Sequence, residues 1–334
     1  MYHSPMKKFL LVIFAMGALS VSAGLIYATH EFMGPGPLTV QKTIPIPKGQ
    51  GVRAMAAQLQ TEGVISNQYV FILFSRLTGT YKTLQAGEYE FAGAARMAEV
   101  LSKISRGDIV KRSFTIPEGK TSFEIVEILK KAENLTGEIK DIPAEGSMLP
   151  NTYFYQTGDT RDGKVKFMQG EMKKTIDELW PKREAGLPFK TIEEAVTLAS
   201  IVEKETGIAS ERKRVAGVFI NRLKTGMLLQ TDPTVIYGLT KGQHKNEGQG
   251  PLGRRLLLKD LAILNPYNTY INPGLPPGPI ANPGRASLEA VLHPEKHNYL
   301  FFVADGKGGH VFAATLDEHN RNVAAWRQIR KAND

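Results

Sequence analysis

The stretch TIEEAVTLASIVEKET, residues 191–206, is the most informative part of the sequence for both fold and function. At about 100° per residue, one broad arc collects eight side chains: Ala195, Val196, Leu198, Ala199, Ile201, Val202, Glu203 and Glu205. Four others lie opposite: Glu193, Thr197, Ser200 and Lys204. Thr191 and Glu194 have the spacing of a capping box, so the pattern predicts an amphipathic helix that begins after Thr191 and ends before Gly207.

Two glutamates, Glu203 and Glu205, fall on the apolar arc of this helix. A carboxylate on a core face is costly unless it is paired, protonated or lining a cavity. The negative end of the helix dipole further disfavours the ionised form, and these are the conditions for a proton donor at neutral pH. The alternative is a structural salt bridge to Arg212 or Arg214 on the following helix, and the pattern alone leaves both interpretations open.

The sequence around this stretch indicates helices joined by long loops. We predict helices over residues 164–179 and 212–223, and a terminal amphipathic helix over 316–329. Residues 230–283 are rich in proline, glycine and asparagine, and loops of that length in a compact domain are usually functional. Strand patterns at 299–304 and 310–314 flank the turn sequence DGKGG.

The N-terminal half contains two similar units in which a strand, a Pro/Gly turn and a helix follow one another. The strand-like runs are TIPIPKG at 43–49 and TIPEG at 115–119, and the helical patterns cover 52–59 and 123–132. Between them we predict helices at 69–77 and 97–104 and a strand at 87–91. Residues 39–110 therefore resemble a small binding module, because titratable residues do not cluster in them.

Residues 9–28 carry no charge and follow Lys7 and Lys8. Twenty helical residues cross a hydrocarbon core of about 30 Å, and the flanking lysines place the N-terminus in the cytoplasm and the rest outside it. A cleaved signal peptide is the alternative, with small residues at 21–23. The apolar run continues beyond them, which favours the anchor. The sequence GPGP at 34–37 is a linker.

Composition excludes several classes of protein. The 334 residues include no cysteine, so disulfides, thiolate metal sites and cysteine nucleophiles are ruled out. The net charge of +9 is spread along the chain, which suits an anionic lipid or wall polymer better than nucleic acid. The glycines at 248–253 match GxGxxG without a preceding strand, and Pro294 separates His293 from His297, so no nucleotide cofactor and no metal is predicted.

Several runs, in this order, resemble the YceG-like family of murein transglycosylases. They are LPNTY (149–153), ASIVEKET (199–206), VFINRL (218–223), LQTDPTVIYG (229–238), YNTY (267–270), GLPPGPI (274–280), FVADG (302–306) and HVF (310–312). The resemblance extends from the membrane anchor to the final helix. The loop at 241–254, rich in glycine and lysine, is where the sequence departs from the family pattern.

The resemblance implies an α+β protein of the inner membrane, with residues 1–8 in the cytoplasm and a transmembrane helix at 9–29. Outside the cytoplasm it implies a LysM-like glycan-binding module at 39–110 and a YceG-like catalytic domain at 111–334. The implied activity is endolytic cleavage of the MurNAc–GlcNAc β-1,4 bond of peptidoglycan, which leaves a 1,6-anhydro-MurNAc end and terminates nascent strands. The family's catalytic glutamate matches Glu205, which is followed by a hydroxyl residue, Thr206, whereas Glu203 precedes Lys204.

Such a reaction needs one essential carboxyl group, because the C6 hydroxyl of the sugar is the nucleophile. Polar neighbours must hold the distorted ring and stabilise positive charge. The residues expected to do so are Gln230, Asp232, Tyr237, Asn268, Tyr270 and His310. Hydrogen bonding within the loop is the alternative role for each of them, and Asp232, which precedes a proline, is also suited to a turn.

Two other functions stay open at the level of sequence. A muramidase that uses water would need Asp232 or Glu203 as its second carboxylate. A glycan-binding scaffold without catalysis would tether other proteins to the wall. The family resemblance also implies that the partners are peptidoglycan strands and peptidoglycan synthases, the penicillin-binding proteins, but no residue identifies that interface.

Overall fold

The computed structural model of the chain describes residues 5–243 and 251–333. The chain divides into two compact units, Met1–Arg112 with Tyr155–Thr157, and Ser113–Phe154 with Gly158–Asp334. Within the described ranges the fold is mixed α+β, with eleven α-helices and six short strands arranged as three two-stranded sheets. Part of the divergent loop at 241–254 lies outside the described residues, as does half of the GxGxxG match, residues 248–250.

The first helix, α1 (Pro5–Met33), is the apolar segment. An 18-residue window within Phe9–Met33 has a mean hydropathy of 2.4, and among the described helices α1 is the one long and apolar enough to cross a membrane. Its outer side chains are exposed, while Ala28 and Phe32 near its C-terminal end are buried. The ring of Phe32 stacks on Phe74 at 4.0 Å, so the end of α1 packs within the first unit.

The first unit continues with β1 (Lys42–Ile46), α2 (Val52–Thr61), α3 (Gln68–Leu77), β2 (Gly87–Phe91) and α4 (Met97–Arg106). The two strands are antiparallel, with Ile44 opposite Tyr89. Asn67 caps α3 by accepting the backbone N–H groups of the first turn, and Gly107 ends α4 with φ 70°, a conformation that glycine adopts without strain. These bounds confirm the helices and strands predicted for this region.

The second unit begins with a small sheet and helix. Strand β3 (Arg112–Thr115) pairs with β4 (Thr152–Tyr155), and α5 (Ser122–Lys131) lies between them in sequence. The remaining elements are α6 (Arg161–Leu179), α7 (Ile192–Glu205), α8 (Arg212–Lys224), α9 (Asp232–Thr240), α10 (Arg285–Leu292), β5 (Phe301–Ala304), β6 (His310–Ala313) and α11 (Leu316–Asn333). Short 3₁₀ helices occupy Thr80–Lys82, Trp180–Lys182 and Leu258–Ala262. The antiparallel pair β5 and β6 confirms the predicted hairpin.

Helix α7 is the centre of the core of this unit. Leu198, Ile201 and Val202 are fully buried, and the helix packs against α8 and α10. The sequence predicted a polar face on the opposite side of α7. This prediction is wrong for Thr197 and Ser200, which are also buried. Ser200 accepts the backbone N–H of Ile280 at 3.0 Å, so the long loop covers that face as well.

The long loop itself contains structure that the sequence pattern did not reveal. The expected turn at Asp232 is instead the start of α9, with proline in the first helical turn, where its missing N–H costs nothing. Helix α10, which directly follows the loop, has eight residues, of which Leu288, Val291 and Leu292 enter the core. Both helices anchor the loop against α7 and hold it near the end of that helix.

Candidate active site

A cavity of about 390 Å³ opens in the second unit beside the C-terminal end of α7. Its lining combines one carboxyl pair, an arginine, a histidine and several aromatic rings. The residues are Glu205, Phe219, Arg222, Leu229, Gln230, Asp232, Tyr270, Phe301, Phe302, Leu316 and His319. Four of the residues predicted for the site, Glu205, Gln230, Asp232 and Tyr270, are therefore brought together.

Glu205 is the last residue of α7 and is partly buried. The hydroxyl of Thr231, the residue immediately before α9, donates a hydrogen bond to Glu205 Oε1. Thr231 is itself fixed, because its backbone N–H donates to Thr269 Oγ1 at 3.1 Å. One oxygen of the Glu205 carboxyl is thus held by the protein.

The surroundings of Glu205 favour its protonated form. Enclosure of the carboxyl by protein raises its pKa, and the neighbouring carboxylate of Asp232 raises it further. The hydrogen bond from Thr231 and the charges of His310 and Arg222 act in the opposite direction, but burial is the largest cause and the pKa lies above the ordinary value of 4.5. A carboxyl group of this kind can donate a proton near neutral pH.

Glu203, two residues earlier, is held by contacts with Arg212 and Gly284. Its side chain is 4% exposed and lies 4.0 Å from Arg212 Nη2. Its Oε2 accepts the backbone N–H of Gly284, the N-cap of α10, at 2.8 Å. The salt-bridge interpretation therefore holds for Glu203, while Arg214, the other predicted partner, pairs with Glu295 at 2.9 Å.

Asp232 and Tyr270 form a second polar group in the cavity. The Tyr270 hydroxyl donates to Asp232 Oδ1 at 2.6 Å. Burial and the adjacent carboxylate raise the pKa of Tyr270, so its hydroxyl stays protonated at all physiological pH values. The pair presents one negative charge and one fixed donor beside Glu205.

Gln230 reaches the cavity from a left-handed backbone conformation, with φ 47°. This conformation is costly for a residue with a side chain and persists only where neighbours hold it. The backbone N–H of Gln230 donates to the Thr269 carbonyl at 3.1 Å, and Thr269 and Thr234 share a hydrogen bond of 2.8 Å between their hydroxyls. The threonines therefore fix the segment that carries Gln230.

The other three predicted groove residues do not line this cavity. Asn268 is buried, and its amide nitrogen donates to the carbonyls of Leu261 and Ile263 at 2.9 Å each. It also accepts the backbone N–H of Tyr270 at 3.0 Å, so it supports the loop that presents Tyr270. This is the loop-stabilising role that the sequence left as the alternative.

Tyr237 and His310 have partners outside the cavity. The Tyr237 hydroxyl hydrogen-bonds to Glu145, whose pKa is raised by burial to about 7, and its ring packs against Tyr267 with centroids 4.9 Å apart. His310 Nδ1 lies 2.7 Å from Glu211 Oε2. His310 still acts on the site through its charge, which lowers the pKa of Glu205.

The sequence did not place the aromatic and basic wall of the cavity. His319, on α11, stacks on Phe301 with ring centroids 5.1 Å apart, and its buried Nδ1 has no hydrogen-bond partner among the described atoms. Burial and the nearby charge of Arg222 lower the pKa of His319, so the ring is neutral at pH 7. Arg222 donates to the carbonyls of Leu229 and Leu300. The FVADG and VFINRL runs contain Phe302 and Arg222 of this wall and were the available signal, but neither contains His319.

The described ranges bring no three His, Asp or Glu side chains together in the manner of a metal site. The cavity instead holds one protonatable carboxyl at a helix end, a tyrosine–aspartate pair and an aromatic wall. Fold and site together define an α+β protein with one apolar N-terminal helix and a carboxyl of raised pKa at an open cavity.

Comparison with known proteins assigns the family. Residues 44–325 match the sequence model of the YceG-like family, and the chain belongs to that family. It is similar to the endolytic murein transglycosylase of Bacillus subtilis (strain 168), with 33% identity over 310 residues, 83% of this chain and 82% of the relative. The endolytic murein transglycosylase of Streptococcus pneumoniae serotype 2 (strain D39) is 29% identical over 330 residues, and the match spans 58% of that protein.

A crystal structure of a YceG-like protein from Listeria monocytogenes resembles the chain with a TM-score of 0.51. The two sequences are 31% identical, and the match covers 84% of this chain and 98% of the other. The likeness therefore extends through nearly the whole of the solved relative.

Proposed function

We propose that the chain is an endolytic peptidoglycan lytic transglycosylase that cleaves the MurNAc–GlcNAc β-1,4 bond and leaves 1,6-anhydro-MurNAc ends. The observation that carries this proposal is the enclosed carboxyl of Glu205, with a raised pKa, at an open cavity. Relatives named endolytic murein transglycosylase support the substrate and the reaction.

Glu205 acts first as an acid and then as a base. Because the Thr231 hydroxyl donates to Oε1, the carboxyl proton resides on Oε2, which is left for the substrate. That proton goes to the glycosidic oxygen as the bond from C1 to oxygen breaks and the GlcNAc leaves. The resulting carboxylate accepts the proton of the C6 hydroxyl, whose oxygen bonds to C1, so Glu205 ends protonated and no water is consumed.

The remaining polar residues of the cavity stabilise the transition state. Positive charge develops on the sugar ring as the glycosidic bond breaks, and the Asp232 carboxylate is positioned to oppose it. Tyr270 orients Asp232 through the 2.6 Å hydrogen bond, and Gln230 supplies an amide for the sugar hydroxyls or acetamido groups. The aromatic wall of Phe301 and Phe302 offers apolar surface to a pyranose ring.

Replacing Glu205 by glutamine tests this proposal. The amide has the shape of the carboxyl but cannot donate and retrieve the proton, so purified Glu205→Gln protein should release no muropeptides from sacculi. Glu193→Gln is the matched control, because Glu193 lies on the same helix and is exposed. Full release by Glu205→Gln, or equal loss in both variants, would contradict the assignment.

A hydrolytic muramidase is the second candidate, favoured by the presence of Asp232 in the same cavity as Glu205. Glu203 is less suited to that role, because Arg212 and the Gly284 N–H occupy its carboxylate. The two reactions differ in product mass, since an anhydro end is one water lighter than a hydrolysed end.

For residues 39–110 we propose a LysM-like glycan-binding module. These residues have a two-stranded sheet and three helices, and the hydrophobic core that they form also includes Ala28, Phe32 and Leu38. Tyr69 and Tyr81 are 75% and 44% exposed, and exposed aromatic rings are suited to stacking on sugars. In the full chain carrying Glu205→Gln, alanine at either tyrosine should reduce cosedimentation with sacculi, and alanine at the exposed Arg53 should not.

For the remaining segments we propose residues 1–8 in the cytoplasm, a span at 9–29 and residues 111–334 as the catalytic domain outside it. The length and hydropathy of α1 support a single-pass anchor in the inner membrane. Because the chain lacks cysteine, single cysteines at Ser4 and Ser210 report sidedness with an impermeant thiol reagent. Labelling of position 4 and protection of position 210 in intact cells would reverse this topology.

As partners we propose peptidoglycan strands and, at the membrane, peptidoglycan synthases. An enzyme that ends nascent strands must meet them as they emerge from a synthase. Crosslinking of the full chain in growing cells should recover a penicillin-binding protein, and its repeated absence would remove this partner.

A further inference from the structure

The second unit exposes an unusual apolar segment, residues 254–264, which we term the leucine loop. Leu258 is 87% exposed and Leu264 is 90% exposed, and their chain neighbours Leu257 and Ile263 are 44% and 38% exposed. Exposed apolar side chains are ordinary when they are scattered singly, but a concentration of this kind marks an interaction surface.

The charge of the leucine loop is positive on its outer side. Asp260 is its single acidic residue, and it is 2% exposed. Its carboxylate accepts two hydrogen bonds from Arg254, at 2.6 and 3.0 Å, which neutralise that pair. Arg255 and Lys259 are exposed beside the leucines, so the outward surface combines apolar groups with two cations.

The loop is held in this conformation by polar contacts behind it. Asp260 accepts the backbone N–H of Leu257 at 2.8 Å, and the amide of Asn268 fixes the carbonyls of Leu261 and Ile263. Because these backbone groups are satisfied from within, the leucines are presented to solvent on a fixed scaffold. The exposure of the leucines is therefore a property of the folded loop.

We propose that the leucine loop inserts into the surface of the anionic bilayer that anchors the chain. Segments that carry leucines flanked by Lys or Arg seat their apolar side chains at the boundary between headgroups and acyl chains, with the cations against the phosphates. Charge complementarity favours the bilayer over a second copy of this chain, since the same cationic surface would face itself. The inference rests on the proposed anchoring by α1.

This docking also determines where the cavity works. Leu264 and Tyr270 belong to one continuous segment. Asn268 ties it together, because its side chain donates to the carbonyl of Ile263, next to Leu264, and accepts the backbone N–H of Tyr270. A loop seated at the lipid surface therefore holds the Tyr270 side of the cavity close to the membrane. Strands would be cut near the point where a membrane-bound synthase extends them, in preference to the mature wall.

Site-directed spin labelling of the full chain tests the proposal, and the absence of native cysteine makes each label unique. Nitroxides are placed at Leu258→Cys, Leu264→Cys and, as a matched exposed control, Lys296→Cys, whose side chain is 86% exposed. A label at Val12→Cys, within α1, reports anchoring. The protein is reconstituted in nanodiscs of phosphatidylcholine with and without phosphatidylglycerol, and collision with oxygen is compared with collision with a water-soluble nickel complex.

We expect the labels at 258 and 264 to collide mainly with oxygen in anionic discs, as the label at 12 does, and the label at 296 to collide mainly with nickel. Replacing Arg255 and Lys259 by glutamine should lower the membrane-seated population about fivefold for each charge removed.

Three results would overturn the docking proposal. The first is nickel-accessible labels at 258 and 264 in anionic discs that hold a buried label at 12, which leaves the anchor intact. The second is dipolar broadening that disappears when labelled protein is diluted with unlabelled protein, which assigns the surface to a second copy. The third is a nickel-accessible label at 12, which removes the anchor and the docking together but leaves the chemistry of Glu205 untouched.

Discussion

Replacing Asn268 by alanine is predicted to destabilise the second unit and to disturb the cavity only through the loop. Asn268 is 1% exposed and makes three hydrogen bonds, two from its amide nitrogen and one to its amide oxygen. Each net bond contributes about 1 kcal/mol, and buried groups left without a partner cost more. We therefore expect the free energy of unfolding to fall by about 3 kcal/mol.

Urea denaturation followed by tryptophan fluorescence measures this change. The two tryptophans, Trp180 and Trp326, both lie in the second unit, so their emission reports on its unfolding. With an m-value of about 2–3 kcal/mol/M, the midpoint should fall by about 1–1.5 M. Asn298→Ala is the matched control, because Asn298 is exposed in the same unit.

The prediction separates the two roles available to Asn268. A residue that supports the loop must lower stability when it is removed, while a residue that contacts glycan must raise KM with little effect on stability. An Asn268→Ala protein with an unchanged midpoint and a raised KM would refute the supporting role and place Asn268 in the groove.

Three further predictions concern the glutamates of α7. Thr231→Val removes the hydrogen bond that lowers the pKa of Glu205, so the alkaline limb of the pH–rate profile should move to higher pH. Thr231→Ser keeps a hydroxyl and should return the limb to its wild-type position. A limb that does not move in Thr231→Val would contradict the role of the hydroxyl. Because the pKa of Glu205 is raised in the folded state, the wild-type chain loses stability as pH rises above the ordinary value of 4.5. In thermal unfolding, Glu205→Gln should therefore be more stable than wild type at pH 7 and equal to it at pH 4. A difference in stability that is the same at both pH values would contradict this link between the pKa of Glu205 and folding. Glu203→Ala removes the acceptor of the Gly284 N–H and the partner of Arg212. In urea unfolding it should lower the free energy of unfolding by about 2–4 kcal/mol, while the folded fraction keeps its activity. Stability equal to that of wild type would argue against the structural role of Glu203.

The two glutamates of α7 mark the limit of what periodicity predicts. The pattern correctly placed Glu203 and Glu205 on the core side, because burial follows the angle of each side chain around the helix. It did not assign their environments, since these depend on Arg212, Gly284 and Thr231, which come from other elements. Tertiary contacts alone separate a paired carboxylate from a protonatable one.

The polar arc of α7 shows that periodicity can also predict exposure where the residues are buried. Thr197 and Ser200 suggested a solvated face, yet both are buried, and the backbone of Ile280 contacts the hydroxyl of Ser200. Short hydroxyl side chains satisfy themselves within a helix, as Ser200 does by donating to the Thr197 carbonyl at 2.7 Å. Such residues therefore carry little information about exposure.

The long loop was recognised as functional but not in its internal structure. Asp232–Pro233 has the composition of a turn, but proline is equally suited to the first turn of a helix, and α9 begins there. His319 was not among the residues predicted for the groove, because α11 is far from α7 in sequence and no motif surrounds His319. Long-range packing brought it to the cavity.

The central claim, transfer of one proton by Glu205 to and from the sugar without water, is tested most directly by digesting sacculi in water enriched in heavy oxygen. Mass spectrometry of the released muropeptides should show anhydro ends that contain no heavy oxygen. Reducing ends that carry heavy oxygen at C1 would contradict the account and identify a hydrolase.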